Sequence, residues 1–335
     1  MVNKSNGATA VDKSKTEHDQ TSAICAPDTW LQDAADWIDA DNAAKTAVAA
    51  CFKVAEPWGT DSWAIPREFA TGALFSAQKR GRTFLVNEKI NTNDNVVLHG
   101  TGESLLQYDL DVFACIVHQG RAGDPISFRL RDFIVDLRGA GKGPRSGADQ
   151  SRPTDSVGGA SVVSALNSIA RMADFEIALT VNKNGDFDYS YNGRLIDAAT
   201  VVIEGVPVSI NDETARLKGL SDLVVSITLN PEMAVLFEKR RRVYLNPKTR
   251  SGFSKSPLVL WLYAFLRSHR NPFDLPLEYF LEKCGSASKK AEFNRMMGIA
   301  RKRLRKGKVI YSSKMVKGKL HFQMEPPTKK DTDKK

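Results

Sequence analysis

Apolar positions recur at helical spacing in the last third of the chain and predict three consecutive helices. Ser256-Pro257 marks the start of the first, and its segment Leu258–Arg267 is apolar on nearly every side, which predicts burial. Pro276 begins the second helix, and the third runs from about Ser288 to Lys306. A hairpin follows, with a turn at Lys317-Gly318 between strands predicted at Val309–Ser313 and Lys319–Met324. Three helices followed by a two-stranded wing indicate the winged form of the helix-turn-helix.

A longer version of this order is predicted between residues 63 and 238. The predicted elements are a helix from Pro66 to about Gln78, strands at Arg82–Val86 and Val96–His99, a helix from a Ser104/Gln107 capping box to about Gln119, a helix at Phe128–Leu137, a helix marked by Val162, Leu166 and Ile169, a hairpin of Phe175–Val181 and Phe187–Tyr191, and strands at Leu195–Ile203 and Leu223–Leu229. The predicted fold class is α+β, with two tandem winged-helix domains and a partly disordered N-terminal region.

The composition shifts divide the chain into four segments. Residues 1–62 are a polar N-terminal region, which is predicted to be disordered at first and then to form an amphipathic helix at about 28–54. The first winged-helix domain is predicted at 63–238 and the second, strongly basic, at 239–325. Residues 326–335 form a predicted disordered tail.

Apolar residues make up 42% of the chain, as in ordinary soluble proteins. The longest apolar run, Leu258–Leu266, is nine residues, too short for a membrane span, and the polar N-terminus has no signal-peptide core. Four scattered cysteines suit neither a disulfide framework nor a zinc site. We expect a cytoplasmic protein with no membrane partner.

The positive charge is concentrated in one segment. Residues 236–335 hold 26 Lys and Arg against eight Asp and Glu, a net charge of +18, whereas the whole chain carries +9. A field of this strength attracts polyanions over about 8 Å at physiological salt. DNA or RNA is the predicted partner, a membrane surface is the weaker candidate, and a solubilising basic surface is the alternative interpretation. The helix and wing described next favour double-stranded DNA.

The third C-terminal helix separates into two faces when its residues are placed 100° apart. Phe293, Met297, Ala300 and Leu304 form a stripe that is expected to face the core. The opposite side offers small residues for close approach to DNA, Arg for guanine and Asn for adenine. The predicted DNA-binding residues of this domain are Ser288, Lys289, Lys290, Asn294, Arg295, Lys302 and Arg305 on the helix and Lys314, Lys317 and Lys319 on the wing.

The third helix of the first domain is far less basic. Its exposed side is predicted to present Ser161, Ser164, Ala165, Ser168 and Arg171. Lys142 and Arg145, in the Gly-rich stretch before it, are added to the predicted DNA-binding residues with Arg171. Such a helix suits weak DNA contact or protein–protein contact equally well.

No motif indicates catalysis. Gly139–Gly143 lacks the spacing of a phosphate-binding loop, because Asp136 stands where its first glycine is required. The five histidines include no pair spaced for the metal of a nicking enzyme, and G-x-S-x-G is absent. We expect a binding protein, with no enzyme activity, cofactor or metal.

The stretch Ser256-Pro-Leu-Val-Leu-Trp-Leu-Tyr-Ala-Phe-Leu-Arg-Ser-His-Arg-Asn-Pro-Phe273, with the basic helix after it, resembles the second winged-helix domain of TrfA-type plasmid replication initiators. Three upstream landmarks in the same order are also similar to this family. They are Ile65-Pro66 leading to Ala73-Leu74-Phe75, Tyr108-Asp-Leu-Asp-Val112 and Leu229-Asn-Pro-Glu-Met-Ala-Val-Leu-Phe237. The resemblance covers about residues 63–322.

The resemblance implies an initiator that binds directly repeated origin sites (iterons), helps open the duplex and recruits the host initiator and replicative helicase. It further implies plasmid copy control through a monomer–dimer equilibrium, with dimers formed largely through the first domain. Carried over by position, Lys289, Lys290, Asn294, Arg295 and Lys302 are the groove contacts of the second domain. The alternative function is a transcriptional regulator that binds an operator and recruits no helicase, because fold alone does not separate the two.

Overall fold

The structure, a computed structural model, describes residues 62–79, 81–120, 124–139, 157–183, 185–203, 206–210, 223–238, 240–269 and 274–324. The N-terminal region with its helix predicted at about 28–54, the predicted contacts Lys142 and Arg145, and the tail 326–335 lie outside these residues. The described chain is a mixed α/β fold with one continuous core, in which we call residues 63–245 the first lobe and residues 257–323 the second lobe.

The first lobe contains most of the strands. Its elements in chain order are β1 (Trp63–Pro66), α1 (Arg67–Thr71), β2 (Phe75–Ser76), β3 (Phe84–Lys89), β4 (Val96–Glu103), β5 (Leu105–Leu106), α2 (Gln107–Gln119), β6 (Pro125–Arg129), α3 (Leu130–Gly139), α4 (Gly159–Asp174), β7 (Glu176–Lys183), β8 (Asp186–Arg194), β9 (Ile196–Ile203), β10 (Val206–Ser209), β11 (Val224–Leu229), a 3₁₀ helix (Pro231–Phe237) and β12 (Arg242–Leu245). One four-stranded sheet has the order β3-β4-β7-β8 and another β10-β9-β11-β6, both antiparallel.

The second lobe follows the short helix α5 (Pro247–Ser251). It consists of α6 (Pro257–Ser268), β13 (Leu275–Pro276), α7 (Leu277–Lys283), α8 (Lys290–Lys306), β14 (Ser312–Val316) and β15 (Lys319–Gln323). Every residue from Leu258 to Leu266 is buried, so α6 is the core helix that its all-round apolar sequence predicts. The strands form one antiparallel sheet in the order β13-β15-β14.

The two lobes share an order of elements that the sequence indicates only in outline. In each, a helix, a short strand and two further helices precede two longer strands: α2-β6-α3-α4 with β9 and β11, and α6-β13-α7-α8 with β14 and β15. In the first lobe β11 lies between β9 and β6, and in the second lobe β15 lies between β14 and β13. The predicted hairpin near residues 175–191 is confirmed as β7–β8, which pairs with β4 in a separate sheet.

Strand pairing and side-chain contacts cross the predicted domain boundary at 238/239. Strand β12, just after the predicted domain boundary at 238/239, pairs antiparallel with β1 at the start of the first lobe. The indole Nε1 of Trp261, in α6, donates a hydrogen bond to the Gly72 carbonyl at 2.9 Å. The Arg250 side chain, 1% exposed, donates to the Asp111 carboxylate and, at 3.2 Å, to Gln107 Oε1 in α2. A buried polar network therefore fixes α5 against the first lobe.

Two predicted helix boundaries in the first lobe are wrong. The helix after Pro66 ends at Thr71 rather than near Gln78, because Gly72 is extended and its carbonyl accepts the bond from Trp261. Helix α2 begins at Gln107 rather than at Ser104, whose hydroxyl accepts a hydrogen bond from the Thr83 N–H instead.

Two further segments differ from the sequence prediction. Phe128 belongs to strand β6, which pairs with β11, and only residues from Leu130 onward are helical. The first wing strand begins at Ser312, because the Val309 N–H bonds the Leu304 carbonyl and so closes the end of α8.

Candidate nucleic-acid interface

Helix α8 divides its apolar and polar residues between opposite faces, as predicted. Phe293, Met297, Ala300 and Leu304 are each at most 1% exposed and pack into the core with α6. Asn294, Arg295, Lys302 and Arg305 are exposed, and Gly298 lies among them with no atom within 4 Å of the position that a Cβ would take. The outer face of α8 is therefore basic, and its backbone is open at the centre.

The start of α8 lies slightly later than predicted. Its first helical residue is Lys290 and its N-cap is Lys289, so Ser288 precedes the helix and lies off its outer face. Lys289 and Lys290 stand where the first backbone N–H groups of the helix have no intrahelical acceptor. Positive side chains and free N–H groups at one helix end favour a phosphate there.

Two acidic side chains hold two of the predicted contact residues. Arg295 Nε donates to Glu292 Oε2 at 2.8 Å, and its Nη2 donates to Oε1 at 2.6 Å, which makes a two-pronged ion pair. Lys290 Nζ lies 2.6 Å from Glu278 Oε1. These hydrogen bonds lower the pKa of Glu292 and of Glu278 below the usual value. Both carboxylates stay ionised at neutral pH and orient the cations in the free protein.

The wing presents three lysines on a tight two-residue turn. Lys317 and Gly318 have φ of 48° and 77°, and Val316 pairs directly with Lys319 across the turn. Positive φ at both central residues suits the right-handed twist of a hairpin, and glycine adopts it without strain. The side chains of Lys314, Lys317 and Lys319 are exposed and make no hydrogen bond or ion pair with any residue that the structure describes.

Arg301 fixes the wing against α8, a role that the sequence analysis did not predict. Its Nε donates to Ser313 Oγ at 2.8 Å, and its Nη2 donates to the Ser313 carbonyl at 2.6 Å. Helical spacing places Arg301 on nearly the same side of α8 as Asn294, seven residues earlier, so the sequence offered no signal of this different role. Helix and wing therefore approach a ligand as one rigid unit.

Helix α4 of the first lobe differs from the sequence prediction. Ala165 and Ser168 are fully buried rather than exposed, and Ser168 donates to Asp109 Oδ1 at 2.7 Å. Arg171 Nη2 donates to the same oxygen at 3.0 Å, and its side chain is only 15% exposed. The Arg82 guanidinium binds the other oxygen of Asp109 at 2.8 Å. Arg171 thus neutralises a buried carboxylate, which leaves Ser161 and Ser164 as the accessible residues of the predicted face.

Across the ranges that the structure describes, no three His, Cys, Asp or Glu side chains are grouped as metal ligands. Within the same ranges, no helix has both the length and the apolar character to cross a bilayer.

No protein-family model matches the chain, and no curated protein does. Among solved structures, the chain is similar to domains 2 and 3 of RctB, determined from selenomethionine derivatives. That match has 17% identity and a TM-score of 0.46, and it covers 78% of this chain and 99% of the other. A second structure of RctB domains 2–3 has 16% identity and a TM-score of 0.43, covering 73% of this chain and 92% of the other.

Proposed function

We propose that the protein binds double-stranded DNA through its second lobe, with α8 in the major groove and the β14–β15 wing on the flanking backbone. This proposal is supported by the arrangement of α8, which has a buried apolar stripe, an exposed basic face and a wing hydrogen-bonded to it through Arg301. A helix so placed reads base edges with its exposed side chains while the wing contacts phosphates. On this proposal each lobe is a winged helix, in keeping with their shared order of elements.

The residues divide between base reading and phosphate binding. Arg295 and Asn294 have the chemistry to bind guanine and adenine edges, and Gly298 lets the helix backbone approach closely. The cations assigned to phosphates are Lys289, Lys290, Lys302, Arg305, Lys314, Lys317 and Lys319. If six to ten such contacts form, affinity falls about 10³–10⁵-fold between 50 and 200 mM salt.

The biological role that we propose is initiation of plasmid replication in the cytoplasm. The ordered resemblance to TrfA-type initiators supports binding to iterons at an origin, help in opening the duplex and recruitment of the host initiator and replicative helicase. In this proposal the protein acts by binding DNA and has no cofactor or enzyme activity. Self-association, which would set copy number, is assigned to the first lobe, where Phe84 and Val86 are each 70% exposed on the edge strand β3.

Footprinting of the purified protein on the DNA beside its own gene, at about physiological salt, tests this function. Evenly spaced protected repeats one or two helical turns apart are expected. One protected palindrome over a promoter would instead favour a transcriptional regulator. Failure of the chain to maintain a plasmid that carries the protected repeats would refute the initiator role while leaving DNA binding intact.

A further inference from the structure

A concave surface that no predicted residue occupies lies beside the C-terminal half of α8. It is a cavity of about 650 Å³ between α8 and the turn that joins α5 to α6. Its charged lining is entirely positive: Lys248, Lys255, Arg303 and Lys306. All four side chains are exposed, so their charges face solvent.

The packing of one aromatic residue builds this cavity. Phe253, in the α5–α6 turn, is 7% exposed and lies against Gly307, where an added Cβ would come 2.5 Å from its Cζ atom. The Phe253 ring also meets Tyr263 of α6 edge-on, with centroids 6.4 Å apart. Arg303, which lines the cavity, donates a hydrogen bond to the Ser256 hydroxyl at the start of α6. The two walls are therefore held at a fixed separation by close contacts at one end and a side-chain bond at the other.

The positive surface continues along α8 toward its N-terminus. A second cavity, of about 520 Å³, shares Lys255 and Arg303 with the first and adds Lys79 of the first lobe. Along α8 it passes Ile299 and Met296, and it ends at Ser286–Ser288. We name the two together the flank groove. On α8 the lining residues run from Met296 to Lys306, about three turns of the helix.

The residues that form the flank groove bring no negative charge to it. The described residues lining its two cavities include no Asp or Glu. The side chains of Lys255 and Lys306 make no hydrogen bond or ion pair with any other described residue. Cations of one sign that line a concave surface repel one another and concentrate anions. A chain of phosphates that releases its counterions on contact relieves this repulsion.

We propose that the flank groove binds the sugar–phosphate backbone of duplex DNA alongside the major groove that α8 enters. The inference rests on the proposed function. It adds a contact to the DNA backbone on the side of α8 that faces Lys255 and Lys79. The cations are divided between two adjoining cavities and come from α8, the α5–α6 segment and Lys79 of the first lobe, rather than from one cluster, which favours a continuous backbone over a free nucleotide.

The test compares the double variant Lys255→Ala/Lys306→Ala with the control Lys89→Ala/Lys183→Ala, which removes two exposed lysines from the first-lobe sheet. Binding to a cognate and a random duplex is measured by fluorescence anisotropy from 50 to 300 mM salt. Loss of two phosphate contacts is expected to reduce the slope of log affinity against log salt by about 1.8, equally on both duplexes. At 150 mM salt the same loss weakens binding roughly ten- to thirtyfold, and the control keeps the wild-type slope.

Three outcomes would overturn the proposal. The first is a salt slope of the groove variant equal to that of the wild type. The second is a lowered melting temperature of the variant with that slope unchanged. That result would mean that the cations only stabilise the negative C-terminal end of α8. The third is loss of nucleoside triphosphate binding, measured by calorimetry, while the DNA slope stays wild-type; the ligand would then be a free phosphate compound. The slope on random DNA tests the groove even if the wild-type protein shows no preferred sequence. Failure of the proposed function can therefore be distinguished from failure of the flank-groove proposal.

Discussion

The buried Arg250 offers the sharpest test of how the two lobes are held together. Its guanidinium binds the Asp111 carboxylate, Gln107 Oε1 at 3.2 Å and the Leu260 carbonyl at 3.2 Å. The Arg250 side chain is 1% exposed and that of Asp111 15% exposed, so water compensates little when one partner is removed. Arg250→Met would leave a carboxylate and two further acceptors without their donor. Breaking a buried pair in this way costs about 3–5 kcal/mol of the free energy of unfolding.

A second substitution separates the charge from the packing. In the double variant Arg250→Met/Asp111→Leu both charges are gone, and most of the lost stability is expected to return, because replacing a whole buried pair by apolar side chains is often neutral. Arg129→Met, which removes an exposed arginine from β6, is the control and is expected to stay within about 0.5 kcal/mol of the wild type.

Urea unfolding followed by far-UV circular dichroism measures these differences, and pH gives an independent check. Burial raises the pKa of Asp111 and the Arg250 charge lowers it, so removing Arg250 raises it further. A carboxyl group with a raised folded-state pKa binds more protons in the native than in the unfolded state, and stability then falls as pH rises through that range. The deficit of Arg250→Met should therefore shrink as the pH is lowered. A deficit below 1 kcal/mol at neutral pH, or no recovery in the double variant, would refute this account of the network.

The remaining predictions concern DNA binding, self-association and the glycines of α8. Arg295→Ala is expected to weaken cognate binding roughly ten- to a hundredfold and to relax discrimination at one base pair, whereas Lys317→Ala weakens binding to all duplexes alike. Equal losses on cognate and random DNA for both variants would show that α8 is not the helix that enters the major groove. Phe84→Glu is expected to shift the protein to monomers in sedimentation, and the same shift from Phe187→Glu alone, at the opposite edge strand β8, would assign the interface to that edge. Gly307→Ala should destabilise by about 1–3 kcal/mol through its clash with Phe253. Gly298→Ala, with open space around it, should stabilise the free protein by about 0.5–1 kcal/mol in thermal unfolding and yet weaken DNA binding.

Local periodicity was enough to predict α6 and the two faces of α8, since both depend on residues three and four positions apart. The arginines show why the rest could not be predicted. Arg250 lies in a basic segment and looks like surface charge, but its partner Asp111 is 139 residues away in sequence. Arg171 looks like a DNA contact on a polar face, but the carboxylate that it neutralises lies 62 residues earlier. Pattern within one helix gives the direction of a side chain, whereas its partner depends on which strands and helices the fold brings alongside.

The pairing of β1 with β12 has a consequence for chimeras built from related proteins. A cut at 238/239, the boundary that composition indicates, would transfer β12 with the second lobe and strip β1 of its partner. In the chimera the Arg250 guanidinium of the donor would pack against a foreign α2. The Trp261 indole of the donor would lose its native hydrogen-bond acceptor, the Gly72 carbonyl. Exchange of DNA specificity between such proteins is therefore better made by replacing the outer face of α8 and the wing than by exchanging whole lobes.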